Sequence, residues 1–336
     1  MIKKISLIFC LLFNFTVCAE QQLTMAIKSS LAQHSMLFDV VNVNDEFMVT
    51  VGERGHILRA DTVNSWQQVE VPTQSTLTAV TFVDSSLGWA VGHDGIILHT
   101  SNGGMSWQVQ QYLPLIQKPL LDIAFKNDSE GIAIGAYGLF YRTTDSGKTW
   151  QQEFHTSLLS QDDLDYLDEL KQEDEQAYLE ERASILPHFN RIFIDGRTTY
   201  LVGEVGLIAK SNDFGQSWQR FDDIYQGSFF DIARTKQGNL LAVGLRGNTF
   251  RSLTNGTPWQ KSETGVTSLL NSIVATDDEQ LFLLGNNGVL LTSSDDGMTF
   301  QNRTQDDGKA LLAGTIFNNS LVVASEVGIK VLQVMK

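Results

Sequence analysis

The chain has 336 residues, 42% of them apolar, with 24 basic and 39 acidic side chains and a formal net charge of −15. That acidic surplus argues against a phosphate-neutralising nucleic-acid face and repels anionic membrane surfaces. Both cysteines, Cys10 and Cys18, lie near the N-terminus; the remainder has no disulfide and relies on a core that a chain of this length can bury.

In chain order, Lys3 and Lys4 form a basic start, Ile5 to Val17 is apolar but too short to span a bilayer comfortably, and Val17-Cys18-Ala19 offers the small residues that a signal peptidase reads. Residues 1–19 are expected to be a signal peptide cleaved after about Ala19. Residues 20–336 then form a single domain exported to the periplasm, with net charge −17 once Lys3 and Lys4 are removed. The alternatives are an uncleaved anchor and lipidation at Cys18, to which Phe15-Thr16-Val17 is a poor match. No later segment is long and apolar enough to cross a membrane.

A pair Gly-x-x-Gly then recurs. It begins at Gly52, Gly92, Gly135, Gly203, Gly244 and Gly285, with a degenerate seventh copy at Ser325-Glu326-Val327-Gly328, and the spacings are 40, 43, 68, 41, 41 and 40 residues. An aromatic follows the second glycine by 11 or 12 residues in six units: Trp66, Trp107, Trp150, Trp218, Trp259 and Phe300. Short strands with one glycine and one aromatic signature per unit of about 40 residues predict an all-β, seven-bladed propeller. The near-continuous apolar runs of the second and third strands fit strands covered on both faces, and the aromatics are expected to pack between blades. Leu23-Thr24-Met25-Ala26-Ile27-Lys28 is surplus to the first unit. It is predicted to supply the fourth strand of the last blade and so latch the ring.

The 68-residue interval holds about 27 extra residues. From Ser160 to Ala183 there are ten acidic and two basic residues, and Leu164, Leu167, Leu170 and Tyr178 recur at near-helical spacing. Ser160 with Asp163 resembles a capping box. Residues 160–186 are expected to be a short acidic helical insertion between blades 3 and 4. Asp162, Asp163, Asp165, Asp168 and Glu169 are its candidate partner-binding residues, since a fold this regular keeps its functions in insertions and loops.

The turns between third and fourth strands read Ser/Thr-x-Asp-x-Gly-x-Thr-Trp, best in Thr143 to Trp150 and Ser293 to Phe300, with Ser211 to Trp218 close behind. A short carboxylate accepts turn N–H groups and glycine supplies the unusual dihedral, so these aspartates are structural rather than catalytic. Gly92-His93-Asp94-Gly95 through Trp107 and its repeats resemble the Ycf48/Hcf136 propellers, photosystem II assembly and stability factors, and also the bacterial neuraminidase repeat of sialidases. The resemblance covers the chain from about residue 36 onward. It implies a seven-bladed, exported, non-catalytic scaffold that binds a membrane-complex subunit: photosystem II in photosynthetic relatives, an RND-type exporter elsewhere. No nucleic acid, no membrane insertion and a monomer are expected. The acidic insertion departs from the photosynthetic members.

Four residues beyond the second glycine stand Arg59, His99, Arg142, Lys210, Arg251, Thr292 and Leu332. The five basic members are a candidate ring for an acidic partner segment, and Arg59, Arg142 and Arg251 match the arginine-rich patch that the resemblance implies. The competing reading pairs each with a turn carboxylate between blades. Asp39, Asp122 and Asp231 recur on first strands, where they either face the channel or pair in-plane with neighbouring blades. The rival function is a sialidase-like glycoside hydrolase or a glycan-binding propeller, which for catalysis needs converging arginines, an acid and a nucleophilic tyrosine. Six scattered histidines without ligand spacing give no metal site, and no fingerprint implies a cofactor.

Overall fold

The computed structural model describes residues 23–182 and 184–333. The expected signal peptide and its cleavage site lie outside the described residues. Among the described residues seven antiparallel sheets follow one another along the chain, six of four strands and the last of three, each pairing its strands in chain order. They are the seven blades predicted from the glycine period. In blade 1 the strands are Leu37–Val43, Phe47–Gly52, Ile57–Ala60 and Gln67–Gln68. First strands line the axis. Second strands such as Phe47–Gly52 and Leu240–Gly244 are buried along their whole length, because a neighbouring blade covers each face.

The core is divided into seven apolar clusters, one per seam between adjacent blades. The repeat aromatics wedge into these seams as expected. Trp66 packs at seam 7/1, Trp107 at 1/2, Trp150 at 2/3, Trp218 at 3/4, Trp259 at 4/5 and Phe300 at 5/6. Seam 6/7, built on Val274, Leu284, Leu311, Leu321 and Val323, holds no such aromatic among the described residues.

The glycine pairs are explained by close backbone approach. Gly55 has φ +72°, and a Cβ there would lie 2.0 Å from the Thr73 carbonyl oxygen in the connection to the next blade.

The predicted latch is corrected. Leu23–Lys28 is not a fourth strand of blade 7, whose sheet has three strands, Leu311–Phe317, Ser320–Ser325 and Gly328–Gln333. The segment instead runs along the end of blade 1. Ala26 N–H donates to the Val71 carbonyl at 2.9 Å, and the Gln68 and Gln74 amides donate to the Ile27 and Met25 carbonyls. Its apolar side chains give no reason to seek a seam, since Met25 and Ile27 stay exposed. Closure uses the turn Ala32–His34 and the apolar seam of Ala32, Leu37, Val40, Phe317 and Val322. Gly328, at φ +99°, permits the approach: a Cβ there would sit 1.9 Å from the Gln33 carbonyl oxygen.

The insertion forms two helices, α1 (Gln161–Glu173) and α2 (Glu175–Arg182). Ser160 caps α1 by accepting from Asp163 N–H at 3.1 Å and donating to its carboxylate at 2.7 Å. Leu167 is buried in the seam 3/4 core, with Leu164 and Tyr178 packed against it. The helices are therefore docked onto the disc rather than hung from it.

Candidate partner-binding surfaces

The third strand of each blade points alternate side chains into its two seams, and the residue four beyond the second glycine emerges at the rim beside the next blade. Arg59 Nε donates to the Gly103 carbonyl at 2.9 Å and Nη1 pairs with Asp61 at 2.6 Å. Arg142 forks onto Glu153 at 2.6 and 3.0 Å and donates to the Phe214 carbonyl at 2.7 Å. Arg251 pairs with the buried Asp296 at 2.6 Å. Gly103, Phe214 and Asp296 occupy the same place in the Asp-box turns of blades 2, 4 and 6, and Arg59, Arg142 and Arg251 belong to blades 1, 3 and 5.

These three arginines are thus staples between blades. At seam 2/3 the corresponding bond is neutral, from Gln110 to the Ser146 carbonyl at 2.8 Å. His99 lies 5.0 Å from the Trp89 ring, and burial holds its pKa below the ordinary value. Lys210 sits over Phe221 at 5.3 Å. The five side chains share a register but do not converge as an open basic surface. In blade 7 the turn is only two residues, Glu326-Val327, so Val331 rather than Leu332 pairs opposite the Ile132-equivalent Val322 and takes the position of Arg142.

The Asp-box aspartates act as the sequence implied. Asp145 accepts from Thr149 N–H at 2.9 Å and from its hydroxyl at 2.7 Å, and Asp295 does the same for Thr299. These bonds hold the Asp145 and Asp295 carboxyls below their usual range despite the opposing effect of burial.

At the axis, a funnel of about 590 Å³ is lined by first strands from all seven blades. Asp39, Asp122 and Asp231 are buried there. Each sits just after a bulge that turns its carboxylate toward the next blade. Asp39 accepts from Val40 N–H and, across seam 1/2, from Val80 N–H; Asp122 accepts from Ile192 across seam 3/4; Asp231 accepts from Ile232 and, across seam 5/6, from Ile273. All these bonds measure 2.8 to 3.0 Å. The in-plane pairing between blades is what the structure contains.

Arg191, which the repeat pattern did not flag, completes this cluster. It lies 3.5 Å from Asp122 and 3.3 Å from Asp231. Its signal was present in the alignment of first strands: Phe189-Asn190-Arg191 occupies the register of Leu120-Leu121-Asp122 and Phe229-Phe230-Asp231. Desolvation raises Asp122 to about 6, against the opposing pull of Arg191, and raises Asp231 likewise. The guanidinium is stabilised in its charged form by Asp122 first, then Asp231. It is enclosed by the ring yet keeps 39% of its side-chain surface open to the funnel. Among the described residues the funnel lining has one arginine and no tyrosine, so the arginine group and nucleophile of a sialidase do not converge there. Among the described residues no group of three or more metal-type side chains converges.

On the insertion, Asp162, Asp165, Asp168 and Glu169 are exposed and Asp163 is half-buried in its cap. Asp165 accepts from Gln161 at 2.7 Å; Asp162, Asp168 and Glu169 make no hydrogen bond or ion pair among the described residues. The surface therefore presents carboxylates that the fold does not use. No helix among the described residues is long and apolar enough to cross a membrane.

Residues 58–152 match the family model described as photosynthesis system II assembly factor YCF48. The chain is 28% identical over 234 residues to the photosystem II assembly protein Ycf48 of Thermosynechococcus vestitus, covering 69% of this chain and 60% of the relative. It is 31% identical over 236 residues to the photosystem II assembly lipoprotein Ycf48 of a Picosynechococcus species, covering 69% and 62%. The match thus spans about three fifths of the length of these curated relatives. Among solved structures, YCF48 bound to D1 peptide superposes with a TM-score of 0.68 at 18% identity, covering 91% of this chain and 95% of that one. YCF48 from Cyanidioschyzon merolae superposes with a TM-score of 0.66 at 14% identity, covering 88% and 95%. At such identities the structural likeness speaks for the fold.

Proposed function

We propose, from its similarity to the Ycf48 proteins, that this chain is a Ycf48-like, exported, non-catalytic scaffold assisting assembly or stability of a membrane protein complex from the periplasmic side. Photosystem II is the complex named for the relatives; in this chain's host the client is a membrane subunit with a segment exposed on that side.

The observation that carries the reading is the division of charge. The rim arginines and axial aspartates are spent on seams, whereas the outer face of α1 offers Asp162, Asp165, Asp168 and Glu169 to solvent. Unused charge on a docked, capped helix is suited to capturing and steering a partner, here a basic segment. The Asp39, Asp122, Asp231 and Arg191 cluster supports the non-catalytic reading, since its hydrogen-bonding groups are already committed to neighbouring blades.

The test replaces Asp162, Asp165 and Asp168 by Asn and Glu169 by Gln together. Stability should change by less than about 0.5 kcal/mol, because all four groups are exposed and the one bond among them, from Gln161 to Asp165, is exposed too. In-cell crosslinking with the mature protein as bait should recover membrane-complex subunits, and the neutralised variant should recover several-fold less. Equal recovery by both proteins would remove the helix from the reading; recovery of no membrane subunit by either would remove the scaffold function itself. Deleting residues 160–183 is the poorer test, since Leu164, Leu167 and Tyr178 would leave the seam 3/4 core uncovered.

A further inference from the structure

We infer that the rim of seam 6/7 is a docking groove for an extended peptide, which enters as the fourth strand of blade 7 with a large aromatic side chain in the seam. Three features of the molecule meet there. The first is an unpaired edge: Gly328–Gln333 pairs on one side with Ser320–Ser325, and the sheet carries no fourth strand among the described residues. The second is the seam without an aromatic. Six seams are wedged by the aromatic that begins a fourth strand, and seam 6/7 is the exception.

The third is a cavity in the corresponding place. A groove of about 580 Å³ runs beside Leu332 and Gln333, with Phe282, Leu290 and Leu321 as its apolar floor. That volume is in the range of ligand sites, about 300–1,000 Å³.

The other blades show what chemistry fits. In each of the six the aromatic is followed by Gln and, in all but Trp107-Gln108-Val109, by a second polar residue, as in Trp150-Gln151-Gln152, whose main chain pairs with Tyr141 and Arg142. Strand addition at an open edge uses the same main-chain bonds, and the side chains set specificity. Charge selects further. In a strongly acidic protein no carboxylate among the described residues lines this groove, and Arg303, exposed at its mouth, is the one charged lining residue among them. The occupant is therefore a partner segment that reads aromatic, polar, polar, followed by a carboxylate from a side chain or a chain end. This goes beyond the assembly reading and does not depend on it, because it specifies a peptide rather than a complex.

The probe is a fluorescein-labelled peptide with the sequence of residues 147–153, Gly-Lys-Thr-Trp-Gln-Gln-Glu, titrated with residues 20–336 and followed by polarisation. Saturable binding is expected. It should weaken at least tenfold when the peptide carries Trp150→Ala, and at least fivefold when the protein carries Arg303→Glu, an exposed change that leaves the fold alone. Leu332→Arg, at the floor, should abolish it.

Absence of saturable binding, or binding undiminished by both protein variants, overturns the inference. Hydrogen exchange on the free protein gives a further check. Fast exchange of the outward amides of Gly328–Gln333 is expected, and full protection would show that residues outside 23–333, or a second copy, already occupy the edge. Peptide binding without capture of any membrane subunit would leave the groove standing and remove the scaffold reading.

Discussion

Seams 1/2, 3/4 and 5/6 are closed by charge at both ends. At the axis a buried aspartate spans each of them, and at the rim an arginine does. Seams 2/3, 4/5 and 6/7 are closed by neutral groups at the axis: the Thr78 hydroxyl donates to the Leu120 carbonyl, and the Asn190 and Asn271 amides donate to the carbonyls of Phe229 and Leu311, each at 2.8 Å. The alternation means that the working repeat is two blades rather than one. It also explains why the three arginines of a basic series that looks like a binding surface in sequence are seam contacts in the fold. With seven blades, an odd number, the pattern cannot close on itself. Seam 7/1 is neither kind and relies on Asn42 donating to Ile316, apolar packing and the close approach at Gly328.

The largest expected effect comes from breaking that irregular seam. Gly328→Val meets a backbone carbonyl that cannot move aside and a positive φ that valine resists. The ring should open at its closure, with a fall in melting temperature of roughly 10 °C or more, or failure to fold. Calorimetry of the purified variant checks it; a loss of only 1–2 °C would show that Gln33 and the preceding turn contribute little to closure. Deleting residues 23–30, by contrast, removes mainly exposed contacts on blade 1 and should cost much less.

The charged seams are probed next through Arg191, which serves 3/4 and 5/6 together. Arg191→Met leaves Asp122 and Asp231 buried without their cation, a change that costs about 3 kcal/mol at pH 7. The pH dependence has a definite sign. Folded Asp122 sits at about 6 and Asp231 is also raised, whereas both titrate near 4 when unfolded. Between these values the folded protein holds protons that the unfolded chain has released, so stability falls as pH rises through that window. Loss of Arg191 removes the influence that lowers both carboxyls and extends the window upward. Urea denaturation should therefore find the variant's deficit smaller at pH 5 than at pH 7. An equal deficit at both would mean that the arginine acts through packing alone.

The two-blade alternation marks the boundary of what the sequence could reveal. The Gly-x-x-Gly interval, the aromatic after it and the Ser160 cap were legible because each is a local rule: a turn needing positive φ, a side chain on a fixed strand register, a side chain bonding three residues on. Arg59, Arg142 and Arg251 were visible as a series, but whether a rim side chain meets water or the adjacent Asp-box turn depends on blade twist and spacing. Arg191 was hidden because its register mates carry the opposite charge, so it broke the pattern instead of joining it. Leu23–Lys28 read as a strand by composition, yet its hydrogen-bonding partners lie on blade 1, a choice between two nearby edges that no local rule decides. The shorter seventh turn moved the register by one, which is why Val331 and not Leu332 is the counterpart of Arg142.

The smallest effect sharpens the neutral side of the comparison. Asn271 donates from one amide nitrogen to the Leu311 carbonyl across seam 6/7 and to Asn286 within its own blade. Asn271→Ala removes both bonds without leaving a charge behind, so the loss should be about 1 kcal/mol and, unlike that of Arg191→Met, flat between pH 5 and pH 7. Seam 6/7 is also the seam without an aromatic wedge, so less packing is available there to absorb the change. If Asn271→Ala cost as much as Arg191→Met, the axial amide would be closing a seam that packing closes elsewhere, and the distinction between charged and neutral seams would reduce to how well each is wedged.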